Sequence, residues 1–443
     1  MIDLMKTLLA ALALILSAEA LTASKPNVIV IMTDDQGNNV GYEGNPHVRT
    51  PHMDKMAGEA VRLTNFHQMP MCTASRAALM TGKYAEQTGA WRTSLGRTLM
   101  RADNVTIAEA FKANGYETGH FGKWHLGDAW PMRPQDQGFD EVVGLRCGAV
   151  GQIADYWGND YFDDTYYHNG VAKQYEGYCT DVFFNETMRY IKGVKDKPFF
   201  IYLAPNVTHL PLKVADRYTQ HHVDNGVNEK LAVFYGMVEN VGRLTAFLKQ
   251  EGLDENTIIL FTTDDGTQGA AISQTEKPWF KGMRGKKGSR EEGGHRVFCF
   301  LRWPAGLKSA ENETIISVLD VYPTLLDLCG LKVPNAVKVE GRSFKPYLSE
   351  ALDPEDDDRM VFFYYYNAKK LDDRDKYLCV IWKNWRMLGE GQLYDIEKAV
   401  TPEDTRASFV LNLKAGNSDL ETALLGDGID GIAYFVTVEY LGE

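Results

Sequence analysis

The chain has 443 residues, enough for two domains and a sizeable core. Its charged fraction of 24% and hydrophobic fraction of 44% are those of an ordinary soluble protein. With 47 Lys and Arg against 60 Asp and Glu, the net charge of −13 argues against non-specific binding to nucleic acid, so any site for an anion must concentrate positive charge locally.

In chain order, Met1 to Lys6 is a charged start, Thr7 to Leu16 an apolar run, and Ser17 to Ala23 a stretch with small residues at a small-x-small spacing. This pattern reads as a secretory signal peptide over residues 1–23, too short to span a bilayer; a buried first helix is the alternative. No other segment approaches a membrane span, so an exported protein, periplasmic or secreted, is expected. The six cysteines are too few for a disulfide scaffold, and isolated buried thiols are expected. Asn104, Asn185, Asn206 and Asn312 begin N-x-[ST] sequons.

Asn27 to Thr33 is a continuous apolar, β-branched run, expected to be a strand buried on both faces. Similar runs occur at Phe199 to Leu203, Thr257 to Thr263 and Val297 to Leu301. Helical patterns lie between them at Thr106 to Asn114, Thr180 to Gly193, Lys230 to Glu251 and Val318 to Cys329. The alternation predicts an α/β fold, a large, mixed and mostly parallel sheet sandwiched by helices over residues 24–340. From about Gly341 the pattern changes. Short aromatic-rich strands at Met360 to Tyr366, Tyr377 to Trp382, Asn384 to Leu388 and Gln392 to Tyr394 predict a smaller antiparallel unit in 341–443. A helix from about Pro402 and a strand at Ile432 to Tyr440 are expected to follow.

Two of the strands run into paired carboxylates, Asp34-Asp35 and Asp264-Asp265. Singly, such a pair is commonly a turn or cap. If the strands are neighbours, the four carboxylates converge beyond the strand ends and call for a cation, with an all-oxygen set suited to Ca²⁺ or Mg²⁺. Gly122-Lys123-Trp124-His125-Leu126-Gly127 follows a short strand at Glu117 to Phe121; in an extended segment Lys123 and His125 would face one side. His209-Leu210-Pro211 follows the strand at Phe199. Arg284-Gly285-Lys286-Lys287-Gly288 and Glu292-Gly293-Gly294-His295-Arg296-Val297 form a basic, glycine-rich stretch that could also be a mobile surface loop.

Cys72-Thr73-Ala74-Ser75-Arg76, continuing to Thr81-Gly82, resembles the maturation signature C-x-[PA]-S-R of the formylglycine-dependent type I sulfatases, members of the alkaline-phosphatase-like superfamily. Read without that resemblance, it is a small buried cysteine before a helix with Ser75 as a cap. The other motifs resemble the same family in the same order across about residues 26 to 330. Asp265 departs from the usual Asn or His, Thr208 from the usual Pro, and Ala74 from the commoner Pro.

The resemblance implies that Cys72 is oxidised to formylglycine by a maturation enzyme, and that Asp34, Asp35, Asp264, Asp265 and residue 72 hold one divalent cation, usually Ca²⁺. It also implies that Arg76 orients the aldehyde hydrate and Asp264 takes its proton, while Lys123 and Lys287 clamp the sulfuryl oxygens and Lys286 stays outside. His209 would protonate the leaving alcohol, and His125 would collapse a covalent sulfo-enzyme. The implied activity is sulfate ester hydrolysis. A phosphonate or phosphate ester hydrolase of the same superfamily and a non-catalytic binder of sulfated glycans are the alternatives. The aromatic segment Arg146 to Gly177, with Tyr156-Trp157 and Tyr161-Phe162, reads either as a sugar-stacking wall or as packing under a long insertion, and points to a sulfated small molecule or carbohydrate.

Overall fold

The computed structural model describes residues 25–93, 99–223, 233–268, 281–335, 337–349, 357–364, 378–389 and 392–396. The expected signal peptide, the helix from Pro402 and the strand near the C-terminus lie outside them.

Asn27–Thr33 (β1), Val61–Leu63 (β2), Phe66–His67 (β3), Glu117–Lys123 (β4), Glu141–Leu145 (β5), Thr165–His168 (β6) and Val171–Gln174 (β7) precede Phe199–Ala204 (β8), Thr257–Thr263 (β9), Cys299–Arg302 (β10) and Ala310–Asn312 (β11). All but β3 join one ten-stranded sheet in the order β11-β2-β10-β9-β1-β8-β4-β5-β6-β7. The five central strands, β9 to β5, run parallel. β10 reverses direction against β9, and β6 and β7 close the far edge as an antiparallel pair.

The β1 run is apolar at every position because both of its faces are covered. Val28, Val30 and Met32 enter one core and Ile29 and Ile31 the other. Helices Cys72–Thr81, Ile107–Ala113 and Val321–Leu328 pack on the first face, and Pro51–Gly58, Cys179–Val194 and Val233–Gln250 on the second. The expected mixed, mostly parallel sheet between helical layers is the fold observed.

A second sheet of four antiparallel strands follows: Met360–Tyr364 (β13), Leu378–Trp382 (β14), Trp385–Leu388 (β15) and Gln392–Asp395 (β16), after the short Ile316–Ser317 (β12) that pairs with β3. Its alternating burial drives Val361, Phe363, Cys379, Ile381 and Leu388 into the same core as helix Cys72–Thr81. The insertion between Arg146 and Gly177 supplies β6 and β7, so its aromatics divide. Trp157 is 96% exposed and Tyr156 43%, whereas Tyr161 is buried.

All six cysteines are free and buried. Asn104, Asn206 and Asn312 are also buried, leaving Asn185 as the exposed sequon asparagine. A glycan on Asn206 would be incompatible with this packing.

Candidate active site

β1 and β9 pair in register, with Thr33 opposite Thr263, so Asp34-Asp35 and Asp264-Asp265 leave the sheet side by side. The Asp35 backbone, at φ 61°, donates its N–H to Asp264 Oδ1 at 3.1 Å. All four carboxylates are fully buried.

Cys72 opens a ten-residue helix in which every residue is buried and all but Arg76 are small or apolar. Ser75 does not cap it; its hydroxyl donates to Met69 O at 2.8 Å, and no side chain caps the helix. Four residues on, Arg76 lies on the same helix face as Cys72. Its Nε and one terminal nitrogen donate to Asp264 Oδ2 at 3.0 and 2.6 Å, and the other terminal nitrogen donates to the Tyr202 hydroxyl at 3.0 Å.

Strand β4 runs two residues further than expected, ending at Lys123, whose ammonium donates to Asp34 Oδ2 at 2.7 Å. His125 is not in extended backbone. It stands at φ 61°, and that turn, rather than strand alternation, aims its Nδ1 at Cys72 Sγ, 3.4 Å away. The turn fits against Gly148, where a Cβ would lie 2.6 Å from the imidazole. His209 places Nε2 3.8 Å from Asp35 Oδ2, on the solvent side of the cluster.

Lys287 reaches in from a loop pinned by two backbone bonds, Lys287 N–H to Thr267 O and Gly288 N–H to Pro70 O, both 3.0 Å. Its ammonium bonds Asp35 and lies 3.8 Å from Asp265 Oδ2, while Lys286 stays exposed. The structure thus gathers Asp34, Asp35, Cys72, Arg76, Lys123, His125, His209, Asp264, Asp265 and Lys287 around the C-terminal ends of the central strands.

Electrostatics sort these groups. Burial drives the Asp265 carboxyl well above its ordinary range, and Asp264 and Asp35 push it further against the pull of Lys287. Burial works against charge on Lys287, yet Asp265 and the other anionic groups hold its pKa well above the usual lysine value. Burial, then Lys123 and Arg76, push His125 well below its ordinary value, so its imidazole is neutral at pH 7.

Asp34 Oδ1, Asp35 Oδ2 and both oxygens of Asp265 are buried with no hydrogen-bond partner. Unsatisfied carboxylate oxygens at this density are costly. The sets Asp34, Cys72, Asp264 and Asp35, Asp264, Asp265 each bring their ligand atoms within 4.8 Å of one another. This donor set fits a hard divalent cation.

A family profile described as sulfatase matches residues 26–331. The chain belongs to the sulfatase family. These are sulfuric ester hydrolases of the alkaline-phosphatase-like superfamily, and a second profile, N-sulphoglucosamine sulphohydrolase C-terminal, matches residues 285–409 of this sulfatase. It is 32% identical to arylsulfatase J of Mus musculus over 351 residues, covering 74% of this chain and 56% of that protein. It is 30% identical to the ulvan-active sulfatase of Formosa agariphila over 368 residues, covering 75% and 67%. The sulfatase chain therefore spans little more than half the length of the first relative. Among solved structures, Ps i-CgsB in complex with k-i-k-neocarrahexaose superimposes with a TM-score of 0.73 at 28% identity, covering 84% of this chain and 87% of that one. A phosphonate monoester hydrolase from Silicibacter pomeroyi shares the fold at a TM-score of 0.60 and 20% identity, covering 84% and 89%.

Sequence reading misses several residues of this candidate site. Tyr202, mid-strand on β8, holds Arg76, and Thr93 places its hydroxyl 3.7 Å from Cys72 Sγ. Beneath the site, the buried His67 and His295 face each other with Nδ1 atoms 3.0 Å apart. Their Nε2 atoms point at Asn65 Oδ1 (2.8 Å) and Arg290 O (3.1 Å), both acceptors. Two neutral imidazoles carry two N–H groups for these three contacts. Burial nevertheless holds both rings below their ordinary value, His295 at about 4. This pair ties the segment leading to Cys72 to the loop carrying Lys287. Glu292 beside it is gripped by Arg386 of β15 at 2.6 Å. Only Glu292-Gly-Gly-His295, as a motif, could have signalled the pair.

Proposed function

We propose that this sulfatase hydrolyses a sulfate ester on a sulfated carbohydrate, using a formylglycine made from Cys72 and one divalent cation, Ca²⁺ or Mg²⁺. The observation that carries the reading is the Cys72 side chain, beside the neutral His125, at the edge of a buried carboxylate cluster flanked by Lys123 and Lys287. Asp34, Asp35, Asp264, Asp265 and residue 72 would hold the cation, which lowers the pKa of a bound hydroxyl and offsets the carboxylate charge. The aldehyde hydrate of residue 72 would supply one hydroxyl as nucleophile and a second that, on losing its proton, reforms the C=O bond and breaks the carbon–oxygen bond to sulfate.

The chain's own groups have the following tasks. Arg76 fixes the Asp264 carboxylate, whose oxygen can take the nucleophile's proton. Lys123 and Lys287 place two buried ammonium charges where sulfuryl oxygens gain charge. His209, at the solvent side, gives a proton to the departing alcohol. His125, a neutral imidazole with Nδ1 3.4 Å from Cys72 Sγ, would take one from residue 72.

The name of the ulvan-active relative and the oligosaccharide bound to Ps i-CgsB support a carbohydrate substrate. Exposed Trp130 and Trp157, on the loops after β4 and β5, support it as well. The apolar N-terminal run supports export, and among the described residues no helix is long and apolar enough to cross a membrane. The test is the mass of the Cys72 peptide from protein of the native host, paired with turnover of matched aryl sulfate and aryl phosphate esters in Ca²⁺. A loss of about 18 Da at residue 72 together with faster sulfate release is expected. An unmodified thiol without sulfate release would move the assignment to a glycan-binding protein, and faster phosphate release to a phosphoryl hydrolase.

A further inference from the structure

Two side chains reach the Cys72 sulfur from different parts of the chain. His125 Nδ1 lies 3.4 Å from Sγ, and the Thr93 hydroxyl lies 3.7 Å from the same atom. Thr93 is half-buried, so its hydroxyl stands at the border between the buried cluster and solvent.

The segment that presents Thr93 is well fastened. The short helix Ala85–Thr88 ends at Gly89, whose φ of 92° is a left-handed turn that glycine takes without steric cost. The next residue, Ala90, is fully buried and donates its N–H to the Thr88 hydroxyl at 3.1 Å. The Thr88 carbonyl in turn accepts the Arg101 N–H at 2.8 Å and the Asn104 amide at 3.2 Å. Trp91 then packs against the core that holds the Cys72 helix. The hydroxyl is therefore delivered to residue 72 from a braced turn.

A threonine hydroxyl both donates and accepts, and a thiol is a weak partner for either. Oxygen in place of the sulfur would use it fully. An oxygen near the position of Sγ would be within reach of His125 Nδ1 and the Thr93 hydroxyl together. His125 is placed to receive the proton of that oxygen, so it cannot also supply a hydrogen bond to it. Thr93 can. As the proton moves to Nδ1 the oxygen gains negative charge, and a hydrogen bond donated to it strengthens at that moment.

We infer that Thr93 is a further catalytic residue, whose hydroxyl donates a hydrogen bond to the oxygen of residue 72 from which His125 takes a proton. The inference rests on the proposed formylglycine chemistry and adds to it a donor on the reacting oxygen. Before the reaction the same hydroxyl would bond the aldehyde oxygen and polarise the C=O group for hydration.

The test uses the full matured chain with Thr93→Val, which keeps the shape and removes the hydroxyl, and Thr93→Ser, which keeps the hydroxyl. The mass of the residue 72 peptide gives the aldehyde content, to which turnover is normalised, and calorimetry gives Ca²⁺ affinity. Capture of the aldehyde by an aminooxy probe is timed as a readout independent of turnover. In Thr93→Val, kcat on an aryl sulfate should fall about 10–100-fold with KM little changed, and capture should slow about 3–10-fold. Thr93→Ser should restore most of both, with Ca²⁺ affinity equal in all three proteins. Native kcat and capture in Thr93→Val would overturn the inference and leave the proposed chemistry standing. Equal losses in Val and Ser variants would overturn it as well, since packing and not the hydroxyl would then matter, as would a loss carried by KM or by Ca²⁺ affinity. An unmodified thiol at residue 72 in protein of the native host would reject the proposed chemistry and this role with it.

Discussion

The two ends of strand β9 carry the same chemistry with opposite outcomes. Before it, Asp254 receives both terminal nitrogens of Arg302 at 2.8 and 2.9 Å, and Arg302 also donates to Glu59 at 3.0 Å. After it, Asp264 and Asp265 join Asp34 and Asp35, and four carboxylate oxygens there have no partner. Asp254 and Arg302 are buried, as are the four carboxylates at the other end, and both sets contain arginine. At the first end every charge is answered by geometry, so the cluster fastens β9 to β10. At the second the account is left open, and the open valences mark where ligands belong.

The largest expected effect that sharpens this contrast is at residue 72. Cys72→Ser should fold and bind Ca²⁺ yet lose about 10³-fold or more in aryl sulfate turnover, because a serine ester lacks the second hydroxyl. Multiple turnovers at the native rate would remove the proposed chemistry.

At the closed end, Asp254→Ala leaves Arg302 buried with half its partners gone. Urea unfolding should show a loss of about 3–4 kcal/mol, with the Ca²⁺ dependence of stability unaltered. A neutral outcome would make the two ends equivalent in kind.

The His67–His295 pair falls between these cases. Its rings resist protonation when folded, His295 down to about 4 against an unfolded value of 6.5. Between those pH values the unfolded chain binds more protons, so stability falls as pH drops through the window, by about 2–3 kcal/mol for His295. Denaturant titrations at pH 7 and pH 4.5 should show this loss shrinking in His295→Gln. Equal losses in both proteins would deny the pair any part in it.

The smallest effect is expected at the open end. Asp265→Asn removes a charge that burial already disfavours, so stability in EDTA should rise by about 1–2 kcal/mol while the gain on adding Ca²⁺ shrinks. Thermal melts with and without Ca²⁺ measure both, and destabilisation in EDTA would mean that Asp265 is already satisfied without a cation.

How much of this was legible depended on whether the physics was local. The β1 run declared a strand covered on both faces, since only such a strand is apolar at every residue. The family resemblance, and not local spacing, singled out Lys287 over Lys286, and the structure puts Lys287 beside Asp35 with Lys286 exposed. The reason given for Lys123 and His125 was wrong in kind, because strand alternation stops at Lys123 and a left-handed turn aims the histidine. Beside the unmodified thiol, Arg76 makes its hydrogen bonds to Asp264, Tyr202 and the Lys123 carbonyl, partners that no spacing in the sequence announces. Tyr202 reads as one more aromatic in a buried strand, and His67 meets His295 only across 228 residues of sequence. Pairings of that span are decided by the closed fold and leave no periodicity behind.

The burial of Cys72 sets a clock. Its side chain is 1% exposed, at the head of a helix that is buried throughout. An enzyme that oxidises this thiol needs the segment drawn out and must act before the sheet closes over it. Closure waits for β9, because 188 residues separate Arg76 from its partner Asp264. At a synthesis rate of about 5–20 residues per second, that stretch takes about 10–40 s to emerge. On the proposed chemistry, the order of elements along the chain sets how long the nucleophile can be made, and a chain that folds first is left with an inert thiol.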